Sequence, residues 1–113
     1  MKYPGAIVLF SWFMAAVCHA NDFPTAARTE FVLDCMSERG GGRFELLHKC
    51  SCVVDRLAEQ YRYDDFVEAQ TMAKSVTIAG ERGSTLRDNE DAQKEARKYR
   101  AAVVAANQAC FLR

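Results

Sequence analysis

The sequence predicts an all-α protein: a small antiparallel bundle of about four helices stapled by two disulfides. Three observations lead there. Apolar residues recur at helical spacing in four segments, and no segment alternates apolar and polar residues as a strand would. The first twenty residues have the make-up of a secretory signal. Beyond them lie four of the five cysteines, an even number in a short exported chain, which reads as a disulfide framework.

The targeting segment is expected at 1–20. Lys2 supplies a minimal charged start, and Ala6 to Val17 is a nearly unbroken apolar run. That run is shorter than the roughly 20 apolar residues a spanning helix needs. Cys18-His19-Ala20 then puts small residues at the −3 and −1 positions of a cut after Ala20. Val17 occupies the place where lipoprotein processing needs a small residue, so a lipid on Cys18 is not expected. Residues 21–113 remain as a single helical domain. Without Lys2 it carries 14 basic against 15 acidic residues. Nucleic acid and anionic membranes both call for a clear basic excess, so neither is expected as a partner.

The first helix is expected from Thr25 to Arg39, started by Pro24-Thr25 and ended by Gly40-Gly41-Gly42, with Ala27, Phe31, Val32, Cys35 and Met36 on its apolar side. The second spans about Phe44 to Tyr61. Its seam is Leu47, Cys50, Val54, Leu57 and Tyr61, at spacings of three and four. The third begins at Asp64 or Asp65. Asp65 and Glu68 form a capping-box pattern, and Phe66, Ala69, Ala73 and Val76 carry the seam. The fourth starts after Asp88, with Glu90 and Asp91 favoured by the helix dipole, and runs about 20 residues. Its seam is Ala92, Ala96, Tyr99, Val103, Ala106 and Cys110. Gly80 to Arg87 is expected as the one long loop.

Such a short, alanine-rich bundle is marginal from packing alone. Two disulfides, each contributing about 2–4 kcal/mol, would offset that. Cys35, Cys50, Cys52 and Cys110 allow three pairings. Cys50 and Cys52 point about 200° apart on a helix, so they do not pair without breaking it. Cys35 lies five residues before Gly40. Cys50 lies eight after Gly42 and Cys52 ten after, which makes Cys50 the nearer mate. This favours Cys35–Cys50 with Cys52–Cys110. The shared seam phase of Cys50 and Cys110 speaks for the alternative, Cys35–Cys52 with Cys50–Cys110.

No catalytic constellation stands out. Redox C-x-C chemistry wants a helix start, where the dipole lowers the thiol pKa, and Cys50-Ser51-Cys52 lies mid-helix. His48 and Cys52 are spaced four apart like metal ligands, but a disulfide sulfur is a poor ligand. With one histidine beyond Ala20 and no free thiol expected, a nucleophile has no base beside it. No metal, no cofactor and no catalytic residue are therefore expected. Two candidate partner-binding groups remain. Tyr61, Tyr63 and Phe66 cluster at the turn between the second and third helices, where they either close the core or form an aromatic contact patch. Arg82 and Arg87, in the glycine-containing loop, either grip a partner's carboxylate or phosphate or pair locally with Glu81 and Asp88.

Cys50-Ser51-Cys52-Val53-Val54-Asp55, Tyr63-Asp64-Asp65-Phe66-Val67-Glu68-Ala69, Gly80-Glu81-Arg82 and Leu86-Arg87-Asp88 span most of the chain beyond Ala20. With these segments it resembles a group of small exported four-cysteine helical proteins associated with PQQ-dependent (quinoprotein) alcohol dehydrogenase systems. The resemblance implies a non-enzymatic accessory or binding role, exercised on another exported protein in the periplasm or outside the cell. Helical four-cysteine exported proteins also include stress chaperones and inhibitor- or immunity-type proteins, which form the alternative. A thiol-redox protein is least favoured.

Intact mass of the exported protein, before and after alkylation without reductant, should show a chain beginning at Asn21 with no free thiol. A lipid on Cys18, or two alkylated cysteines, would contradict this.

Overall fold

The computed structural model describes residues 21–78 and 80–113, with Glu81 and Arg82 described for their backbone alone. The expected signal segment, its cut after Ala20 and Cys18 lie outside the described residues. Five helices and no strand are present among the described residues: α1 (Thr25–Glu38), α2 (Phe44–Gln60), α3 (Tyr63–Ser75), α4 (Glu81–Arg87) and α5 (Glu90–Ala109).

α1 and α2 form a hairpin. α1 ends in a Schellman turn in which the Gly41 amide donates to Met36 O at 2.9 Å and the Gly40 amide to Ser37 O at 3.3 Å. Gly40 sits at φ +92°, a left-handed conformation that glycine adopts without the Cβ clash of other residues. Across the hairpin, Cys35 and Cys50 are joined at a Cα separation of 5.9 Å. Two residues on, Cys52 is joined to Cys110 at 5.8 Å. The nearer-mate pairing is the one present. α2 is bonded on one side to α1 and on the other to the end of α5.

α5 is the helix the others share, packing against α2, α3 and α4. Its inner face is nearly all alanine: Ala92, Ala96 and Ala106 are buried, with Tyr99 among them. Ala69 and Ala73 of α3 are buried too, so small side chains let these helix axes approach closely. The seams expected on α3 and α5 are buried as read, except that Val103 is only partly covered. Asn89 caps α5, its side-chain oxygen accepting from the Ala92 amide at 3.1 Å.

The α2 seam departs from expectation at one end. Leu47 is 39% exposed, while Leu46 packs on the core and Val53 is fully buried. α2 has neighbours on more than one side, so its buried face is broader than a two-position seam and turned toward Leu46 at its start.

The capping of α3 also differs. The helix begins at Tyr63, and both Asp64 and Asp65 lie inside its first turn. Its exposed Tyr63 amide donates to the carboxylate of Asp22, 3.0 Å away and 41 residues earlier. Phe23 beside it is buried, 5.4 Å from the Tyr63 ring and 5.0 Å from Phe66. A tertiary contact thus supplies the cap that local sequence placed at Asp65.

The expected loop from Gly80 to Arg87 is a correction: residues 81–87 are helical. Gly80, at φ +96°, makes the turn into α4. Gly83 lies so close to the preceding strand of chain that a Cβ there would sit 2.1 Å from Ile78 O. Arg87 donates to Ile78 O and, at 3.1 Å, to Gly80 O. Leu86 packs on the core. Docking on α5 overrides a composition of low helix propensity.

Gly83→Ala should therefore lower stability by roughly 1–3 kcal/mol, since backbone must shift. Arg87→Ala should cost about 1 kcal/mol, the net worth of exposed hydrogen bonds. Urea midpoints at unchanged slope report both. A Gly83→Ala variant as stable as the parent would mean that α4 does not dock as described.

Candidate functional site

The aromatic turn expected from the sequence is largely core. Phe66 is buried and touches the rings of Phe23, Phe31, Tyr61 and Tyr99 at centroid distances of 5.0–6.4 Å. Tyr63 is half-buried under Phe23. Tyr99 is held inside the same cluster, where burial pushes its phenol pKa up against the opposing hydrogen bond with Gln70. Of the three expected contact residues, Tyr61 is the one that reaches a surface concavity.

That concavity is an open groove of about 610 Å³ between α3 and α5. Tyr61, Ala69, Met72 and Ala102 give it apolar walls, while Asp65, Glu68 and Glu95 stand around it. Lys98 also lines it, 4.0 Å from Glu95. The residues that the helix start of α3 places at Asp65 and Glu68 thus become the acidic rim of the groove.

The arginine pair does not form a site. Arg87 turns back to the carbonyls of Ile78 and Gly80, so its donors brace α4. Arg82 lies on α4, and its side chain is outside the description. The other chemical candidates are similarly dispersed. Cys50 and Cys52 belong to different disulfides, and Cys50 is fully buried. His48 stacks edge-on against the exposed Phe44 at 4.7 Å. Among the described residues no three His, Cys, Asp or Glu side chains gather as a metal site, and no helix is long and apolar enough to cross a membrane.

One feature escaped the sequence reading. α5 ends in a second Schellman turn: the Leu112 amide donates to Asn107 O at 2.9 Å and the Phe111 amide to Gln108 O at 3.2 Å. In α1 glycine takes the left-handed position of this turn; here Phe111 takes it, at φ +56°. Its flanks are anchored, Cys110 by the disulfide to Cys52, Leu112 by burial, and Arg113 by a main-chain oxygen that accepts from Arg39. The Phe111 ring itself is 80% exposed, the most exposed of the large apolar side chains described.

Around that ring stand Arg39, Arg43, Lys49 and Arg113, lining two shallow hollows of about 490 Å³ each. The carboxylate among them is Glu45, bonded to Lys49 at 2.5 Å, which holds its pKa below the usual carboxylate range. The signal available in the sequence was a large aromatic residue directly after the last seam position, where a helix end favours glycine or asparagine.

No family model, curated protein or solved structure matches this chain.

Phe111→Gly should leave stability unchanged or raise it by up to about 1 kcal/mol, because the left-handed penalty that glycine removes matches or outweighs the extra freedom it gives the unfolded chain. Leu112→Ala should cost roughly 2–4 kcal/mol. Thermal melts of the oxidised variants distinguish them; a destabilised Phe111→Gly would show that the ring packs after all.

Proposed function

We propose that this protein is a non-enzymatic accessory or binding protein of the periplasm or cell exterior, acting on another exported protein through a protein–protein surface. The observation that carries this reading is the α3–α5 groove, whose apolar walls and acidic surround suit a segment of mixed apolar and basic character. The elements that form it are held by the shared packing of α3 on α5 and by the capping contact from Asp22, so the groove needs little ordering before a partner enters. Two closed disulfides support an oxidising compartment. The resemblance to exported four-cysteine proteins supplies the setting, a quinoprotein alcohol dehydrogenase system.

Affinity capture from periplasm with the oxidised protein, beside a Glu68→Lys/Glu95→Lys variant, tests the reading. Both carboxylates are exposed, so the variant should melt within about 0.5 kcal/mol of the parent. One dominant dehydrogenase or cytochrome, retained by the parent and lost by the variant, is the expected result. Many unfolded clients would move the reading to a stress chaperone. A single exported enzyme whose activity falls on binding would move it to an inhibitor. Reduction of a substrate disulfide by the parent would move it to thiol-redox chemistry.

A further inference from the structure

We infer that the Phe111 end of the bundle is a second, separate docking surface, built to receive an acidic segment of a partner protein with at least one apolar side chain. It rests on the reading of the protein as a binder, but on different residues from the groove.

The first ground is conformational. The same turn ends α1 and α5, and only in α1 does glycine fill its left-handed position. Phenylalanine in that position is disfavoured, and its exposed ring returns no burial to the fold. Backbone held in a sparsely populated region, with its surroundings over-determining it, marks places where something other than stability is served. Here the surroundings do over-determine it: Cys110 is covalently tied, Leu112 is buried, and Arg113 is bonded to Arg39. The backbone that carries the ring is therefore held, and a ligand has only the ring's own rotation to order.

The second ground is charge. Arg39, Arg43, Lys49 and Arg113 ring the projection. Glu45 and Lys49 offset one another and Arg39 is bonded to a main-chain oxygen of Arg113, which leaves the Arg43 and Arg113 guanidinium groups as the cations offered to a partner. The residues 21–113 as a whole are slightly acidic, so this end is a local concentration of positive charge and not a sample of the average surface. Arginine and an exposed aromatic side by side are the composition of a contact centre. Val104, 53% exposed, extends the apolar surface along α5 beside the ring. Hollows on both sides of the ring fit side chains of an extended or helical segment. A flat lipid surface would leave them unfilled, and so small an excess of cations, with Lys49 already paired to Glu45 and Arg39 to Arg113, gives weak attraction to it.

The probe is a labelled twelve-residue peptide of Glu, Asp and Leu, with a counterpart in which Lys replaces the acids. Fluorescence anisotropy with the oxidised protein should show binding of the acidic peptide, weakened as salt rises. The lysine counterpart, suited to the α3–α5 groove, should be lost with Glu68→Lys/Glu95→Lys and not with Phe111→Gly. Phe111→Gly and Arg43→Glu should each weaken acidic-peptide binding about tenfold or more. Phe44→Ala removes an equally bare phenylalanine on another face of α2 and should leave it unchanged, as should Glu68→Lys/Glu95→Lys in the groove. No binding of the acidic peptide at millimolar concentration overturns the inference, as does acidic-peptide binding that Phe111→Gly leaves unchanged or equal loss from Phe44→Ala. Binding of phosphatidylglycerol vesicles in preference to the peptide replaces it with a membrane surface. Concentration-dependent dimers that Phe111→Gly abolishes replace it with a second copy of the chain. Because the groove variant is read with the lysine peptide in the same assay, failure at Phe111 is distinguishable from failure at the groove on which the proposed function rests.

Discussion

Two cysteines separated by a single serine decide the architecture. On α2 the side chains of Cys50 and Cys52 leave the helix in nearly opposite directions, and each is bonded to a different helix. α2 is thereby fixed between α1 and the end of α5 with its rotation set. A change of pairing would require α2 to turn about its axis, carrying Val53, Val54 and Leu57 out of the core they fill. Covalent and apolar terms point the same way, and neither would be sufficient in a bundle whose other buried positions are so often alanine. The smallness of those alanines has a use: it brings α3 and α5 close enough to share Tyr99 and Phe66 in one aromatic cluster.

What was legible in the sequence was whatever depends on period alone. Ala92, Ala96, Tyr99, Ala106 and Cys110 lie inside because a helix packed along one side repeats its apolar residues at three and four. Period misled at Leu47, since a helix with several neighbours buries a wider face and a narrow seam cannot say where that face is centred. Local signals misled where tertiary structure outcompeted them. Asp65 has the credentials of a cap, yet Asp22 reaches the open amide of α3 from across the molecule. Glycines at 80 and 83 resemble a loop's, yet one makes a turn and the other permits the carbonyl of Ile78 to approach. No window of residues contains the information that Ile78 will be there.

The candidate surfaces divide along the same line. Tyr61, Tyr63 and Phe66 were identifiable as a cluster, but not which of them would face outward, because that depends on Phe23 arriving from the N-terminal side to cover the others. Arg87 was identifiable as a side chain rich in donors, but not that two carbonyls of its own chain would claim it. Phe111 follows the last core cysteine, and helical period alone does not say that it faces outward. Its exposure follows from a turn that reverses the chain at Cys110, sending Leu112 in and the residue before it out.

The sharing of α5 by α2, α3 and α4 has a consequence for the order in which the molecule comes into being. A chain emerges N-terminus first, and the helix on which the others converge is the last to appear. Until it does, α4 has no platform and α3 has only its contacts with α2, Asp22, Phe23 and Phe31, while the α1–α2 hairpin can already assemble, closing a span of 15 residues between Cys35 and Cys50. A Cys35–Cys50 bond closed at that stage would occupy the one cysteine able to compete with Cys52 on α2. Cys110, 58 residues after Cys52, would then meet a single thiol on α2. Chain polarity thus favours the pairing that is present over its alternative, Cys35–Cys52 with Cys50–Cys110.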